Sequence, residues 1–210
     1  TTQAEGQNST AMGYNTKASG YFSTAMGNTT TAGGTASTAM GQGTNASGDY
    51  STAMGASGTA SGDYSTAMGL NTNAIGPAST AMGSGTNANG EFSMAMGAWT
   101  SALGDHSTAM GVTTTAGGTA STAMGGYSVA TDSYCTAIGN CAFAGGDIQF
   151  AIGASGTAPS GVATALFNNN VLSIKKTGNV VIENGPLTGT DYLLHVDGDI
   201  SCTELSCSSA

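Results

Sequence analysis

The phrase Ser-Thr-Ala-Met-Gly occupies residues 9–13 and returns every fourteen residues, at 23–27, 37–41, 51–55, 65–69, 79–83, 107–111 and 121–125. Variants hold the same register at Ser93-Met94-Ala95-Met96-Gly97, Cys135-Thr136-Ala137-Ile138-Gly139 and Gln149-Phe150-Ala151-Ile152-Gly153. Eleven copies without a one-residue slip restrict the chain to a stack of equivalent coils, because an insertion in one would displace all that follow. Composition alone would suggest low-complexity disorder: 34 of the 210 residues are Gly, 7% are charged and 6% are aromatic. The strict period argues otherwise, since repeats that each bury small residues stack into one continuous narrow core.

Each unit divides into two halves that alternate with period two, the signature of short strands, and neither half has room for a helix. In the first half Ser9, Ala11 and Gly13 share one side, and Thr10 and Met12 share the other. The second half carries a weaker phrase, as in Thr16-Lys17-Ala18-Ser19-Gly20 and Thr44-Asn45-Ala46-Ser47-Gly48. The side that is small in every copy is where the two strands of one coil face each other. Ala recurs there from Ala11 to Ala165 and from Ala4 to Ala158. The expected roll is thin, with Gly at the strand ends permitting tight turns.

The two outward faces differ. On the second strand the outward residues are polar and irregular, such as Lys17, Ser19, Asn45 and Ser47, so that face suits water. On the first strand they form a ladder of Met12, Met26, Met40, Met54, Met68, Met82, Met96, Met110 and Met124, then Ile138, Ile152 and Leu166. At about 4.8 Å per coil this stripe is roughly 50 Å long, more apolar surface than a monomer ordinarily exposes. Packing the same stripe of other copies against it would contribute tens of kcal/mol before entropy costs, at about 25 cal/mol per Å². Met suits such an axial gap because its unbranched chain adapts to irregular space. Three rolls around an axis would bury all three stripes, and the sequence leaves a two-fold arrangement open.

Charge and motifs exclude other classes. A net charge of −9 with three Lys and no Arg does not fit phosphate-backbone binding or docking on an anionic membrane. No run of about eighteen apolar residues exists to span a bilayer. The four cysteines, Cys135, Cys141, Cys202 and Cys207, lack zinc-site spacing, both among themselves and with His106 and His195. They read as free thiols or inter-chain bridges, and no cofactor is expected. No nucleophile elbow or His-carboxylate pairing points to an enzyme. Acids stack at one turn (Asp49, Asp63, Glu91, Asp105), an arrangement that a divalent cation would relieve, although each coil supplies a single carboxylate. The preferred reading there is a solvated edge with rings stacked beside it. Three formal glycosylation sequons begin at Asn8, Asn28 and Asn45. Without a leader or an initiating Met the chain reads as a fragment or a processed product.

The repeat resembles the head of the trimeric autotransporter adhesins. That family has a Ser-Val-Ala-Ile-Gly-like first strand and an x-Ala-x-Gly second strand, and Ser9-Thr10-Ala11-Met12-Gly13 with its copies matches the pattern. The resemblance covers residues 1–167 and implies a left-handed parallel β-roll in a tight homotrimer, with binding through broad, variable surfaces. After it, Phe167 stands where Gly is due and Asn168-Asn169-Asn170 read as a turn. Val171-Leu172-Ser173-Ile174 and Val180-Val181-Ile182 read as strands of a non-repeating β segment over 168–210. Its ending, Tyr192 to Ile200 and on to Ala210, is similar to viral tail-fibre sequence preceding an endosialidase-type intramolecular chaperone.

The expected protein is therefore all-β: a homotrimeric parallel β-roll of fourteen-residue coils followed by a small β segment, extracellular and without catalysis. The first functional reading is a viral tail-fibre segment, a rigid spacer with a surface for a host glycan or protein receptor. The alternative is the head of a cell-surface trimeric adhesin. Weaker alternatives are an ice-binding solenoid, suggested by the ladder from Thr10 to Thr80, and a glycan-cutting tailspike.

Overall fold

The computed structural model describes residues 1–146, 148–154, 170–177 and 180–182. Short and long strands alternate along the chain: β1 (Gln3–Ala4), β2 (Thr10–Tyr14), β3 (Lys17–Ala18), β4 (Thr24–Asn28), and so on to β21 (Phe143–Ala144) and β22 (Ile148–Ala154). The eleven short strands form one sheet. The long strands from β2 to β22 form the other, and every one pairs parallel with its equivalent one coil away. The register is that of the repeat, Thr10 opposite Thr24 and Met12 opposite Met26. The protein is a parallel β-solenoid, as the period requires.

The core is as thin as the small-residue columns predict. Ala25 from a long strand and Ala32 from the following short strand are fully buried, as are Ser23 and Thr30 just before those strands, and their equivalents repeat along the stack. Most of this interior is Ala methyl, flanked by Ser and Thr columns whose oxygens are partly orphaned. Ser23, Ser37 and Ser51 donate to the carbonyls of Gly20, Gly34 and Gly48 at 2.6–2.7 Å. Thr30, Thr44, Thr72, Thr86 and Thr100 find no partner for Oγ1.

The glycine of the phrase has a different job from the one expected. It neither shares the inward side nor ends the strand: Gly27 lies outside the core, and its strand continues to Asn28. Its φ is 124°, and a Cβ there would run into the carbonyl of Gly41 in the next coil. The close approach of stacked backbones, and not the turn, demands glycine.

The turns are instead made by side-chain-bearing residues in the left-handed region, one at each edge of the coil. Phe22, Tyr50, Tyr64, Phe92 and His106 occupy the first edge and Thr29, Ser57, Asn71 and Trp99 the second, with φ between 52° and 59°. Such a conformation costs about 1–2 kcal/mol per residue. It aims each amide along the stack, where Tyr64 donates to the carbonyl of Asp49 and Thr29 to that of Tyr14, both at 2.8 Å. The same bond recurs from coil to coil and offsets the strain.

Beyond the last coil the chain reverses. β23 (Asn170–Lys175) and β24 (Val180–Ile182) extend the long-strand sheet antiparallel to β22 and to each other. They correspond to the two strands expected in the non-repeating segment. The boundary at residue 167, with Phe167 and Leu166, lies outside the described residues.

Candidate oligomer interface

The outward face of the long-strand sheet carries two columns. One runs from Met12 through Met124 to Ile138 and Ile152 with each rung directly opposite the next, so the structure aligns every described residue of the expected ladder on one face. Beside it stand Thr24, Thr38, Thr52, Thr66 and Thr80, interrupted by Met94 and closed by Phe150. Most interior rungs of the Met column are half-buried by their axial neighbours alone. Met12, with a neighbour on one side only, is 58% exposed.

The face extends further than the repeat does. Leu172, itself half-buried, lies directly opposite Ile152, and Ile182 lies opposite Leu172 in register. The second column continues in register from Phe150 to Ile174 and Val180. The sequence reading placed the next rung at Leu166 and missed these residues. The alternation in Val171-Leu172-Ser173-Ile174 was the available signal, but only the antiparallel register shows which rungs it extends.

The first edge is more structured than a solvated acidic ladder. The Thr35 N–H donates to Asp49 Oδ1 at 2.7 Å, the Asp49 N–H to Asp63 Oδ1 at 2.9 Å and the Glu91 N–H to Asp105 Oδ1 at 2.9 Å. Each aspartate therefore holds an amide of the preceding coil. That gives the stacked carboxylates a role that needs no cation. Beside them Tyr50 stacks on Tyr64 with centroids 5.1 Å apart, and Phe92 on His106 at 5.3 Å.

Near the end of the solenoid Lys176 Nζ lies 3.2 Å from Asp132 Oδ2. This bond holds the Asp132 carboxyl below its usual range, and the Gly146 amide adds to it. Cys135 and Cys141 are both buried, and burial pushes both thiols up. Cys202 and Cys207 lie outside the described residues. Among the described residues no three His, Cys, Asp or Glu side chains converge on one point.

A stack of fourteen-residue coils with one apolar sheet face defines a class of parallel β-solenoid repeat proteins. Within this class the family model described as YadA head domain repeat matches residues 4–30, 32–57, 60–86, 74–98, 88–114, 102–128 and 116–140, and the chain belongs to that family. No curated protein matches the chain. The family is that of the adhesin heads, so the comparison favours the adhesin reading over the tail-fibre reading. The fibre resemblance rests on Tyr192 to Ala210, beyond the matched segments and outside the described residues.

Proposed function

We propose that the chain is the head segment of a trimeric cell-surface adhesin. Three copies close on their Thr and Met columns, leaving the polar short-strand sheet and the turn edges to meet a glycan or protein on a host surface. The rod acts by spacing and binding, without catalysis or a cofactor. The observation that carries this reading is the unbroken apolar face over eleven coils, continued by Leu172, on a chain whose interior consists of little more than Ala, Ser and Thr. An isolated copy would leave that face in water.

Two measurements test the proposal together. Sedimentation equilibrium is expected to return three times the 20.3 kDa chain mass. Beads coated with the purified protein are expected to adhere to host cells more than beads coated with albumin. A monomer or dimer would remove the trimer, and trimers that adhere no better than albumin would remove the adhesive role.

A further inference from the structure

The aromatic residues of the first edge follow a longer period than the coil. Between the stacked pairs Tyr50–Tyr64 and Phe92–His106 lies one coil that carries Ala78 at the equivalent position. Ala36 and Ala120 interrupt the row in the same way, each three coils from Ala78. All three alanines keep the left-handed backbone of the ring residues, with φ of 53–54°. The column is thus continuous in backbone and broken only in side chain.

Each break has the width of one ring. Positions two coils apart are separated by about 10 Å along the stack. A planar group centred over Ala78 would therefore lie about 5 Å from Tyr64 and from Phe92, the spacing of the two stacks already present. Ala36 lies likewise between Phe22 and Tyr50, and Ala120 between His106 and Tyr134. The bordering rings are exposed, Tyr64 at 65% and Tyr134 at 69%.

Charge selects the occupant. Asp63 and Glu91 directly precede the two rings that border the Ala78 slot, Asp49 precedes Tyr50, and Asp105 precedes His106. Asp63 gives one carboxylate oxygen to a backbone amide and keeps the other. Glu91 follows a coil with Pro77 at the matching position, which has no N–H to offer, and its carboxylate meets no donor among the described residues. A guanidinium satisfies both demands at once, stacking flat on ring faces while its edge donates to carboxylates; an ammonium cannot stack in this way. The chain contains no Arg, so the group must come from another molecule.

We infer that the slots at Ala36, Ala78 and Ala120 bind arginine side chains of a basic protein segment, one per slot at intervals of about 14 Å. An extended segment advances about 3.3 Å per residue, so arginines four residues apart match the slots. This deepens the adhesive reading, rests on it, and requires only that any assembly leave the first edge in solvent.

The test uses the full chain, with its sedimentation measured in the same buffer, and three Gly/Ser peptides carrying Arg, Lys or Tyr at every fourth position. Titration calorimetry is expected to show the Arg peptide binding at least tenfold tighter than either of the others. The triple variant Ala36→Tyr/Ala78→Tyr/Ala120→Tyr fills the slots without changing charge and is expected to lose that preference. Should it fail to fold, Tyr64→Leu/Phe92→Leu, which removes the ring faces bordering the central slot, must weaken Arg-peptide binding. Equal affinity for Arg and Lys peptides would reduce the edge to an acidic surface and overturn the proposal. Tightest binding by the Tyr peptide, or a preference that survives in the filled or wall-less variant, would overturn it as well. A monomer in sedimentation counts against the trimer alone, because every slot lies within one chain.

Discussion

Replacing Met68 by Asp tests the assembly face at the middle of its ladder. Met68 stands between Met54 and Met82 and is half-buried by them. Full burial of a Met side chain contributes about 1.5–3 kcal/mol, so covering its remaining half contributes about 1 kcal/mol per chain and about 3 kcal/mol per trimer. The substitution would forfeit that and place three carboxylates near the axis, each desolvated at several kcal/mol without a partner. The combined loss is on the order of 10 kcal/mol per trimer, about seven decades in the association constant. Sedimentation equilibrium at micromolar concentration should then show dissociation. The solenoid core of Ala, Ser and Thr is not altered by the change. Met68→Ile should assemble normally, because Ile138 and Ile152 already occupy the same column. Ser61→Asp, on the exposed short-strand side, should leave the mass unchanged. Full assembly of Met68→Asp, or equal dissociation of Ser61→Asp, would refute the assignment of this face.

Four further outcomes follow from the coil itself. Gly69→Ala, at a φ of 128° and with its Cβ directed at the Gly83 carbonyl, should cost about 2–4 kcal/mol in thermal melting, whereas Gly33→Ala, whose Cβ meets nothing closer than 3.8 Å, should be within about 0.5 kcal/mol of wild type. Thr86→Val should be neutral or stabilising by about 1 kcal/mol in urea titration, since its buried hydroxyl has no partner to lose. Asp63→Ala should cost about 0.5–1.5 kcal/mol by freeing the Asp49 amide, and calcium should not shift the melting point of wild type relative to a chelator. Because Lys176 lowers the Asp132 carboxyl in the folded state, its contribution is present above about pH 4, the unfolded value, and disappears as pH falls through the lower folded value. Lys176→Ala should lose that increment at neutral pH and with it the corresponding acid sensitivity of the urea midpoint.

The columns were legible in the sequence because alternation and period are properties of residue spacing. Ala25 and Ala32 could only face inward once Met26 and Thr31 faced out, and the register of Met12 on Met26 follows from a period without slips. The glycine role was not legible. Gly27 reads as a turn residue by type, whereas its constraint is the Gly41 carbonyl fourteen residues away, a distance set by stacking. The left-handed turn residues were hidden for the opposite reason. Tyr64 and Thr29 are side chains that ordinarily avoid that conformation, and only the amide bond to the preceding coil explains them. The aspartates are visible in the sequence as a ladder, but the amides that donate to Asp49, Asp63 and Asp105 are brought to them by stacking and leave no mark there.

These constraints divide the coil by how freely a residue can change. Ala25 and Ala32 sit in a core with no spare width, Gly27 meets the backbone of the next coil, and Met26 packs against its axial neighbours. A substitution at any of them alters the stack or its apolar face. The side chains at positions 22, 36, 50, 64, 78, 92, 106, 120 and 134 share one backbone conformation but range from Ala to Tyr, Phe and His. There the cost of the left-handed turn is offset by the axial amide bond, which uses no side-chain atom. Side-chain identity at the edge is therefore uncoupled from the fold, and a recognition surface can vary there coil by coil while the rod beneath it stays the same.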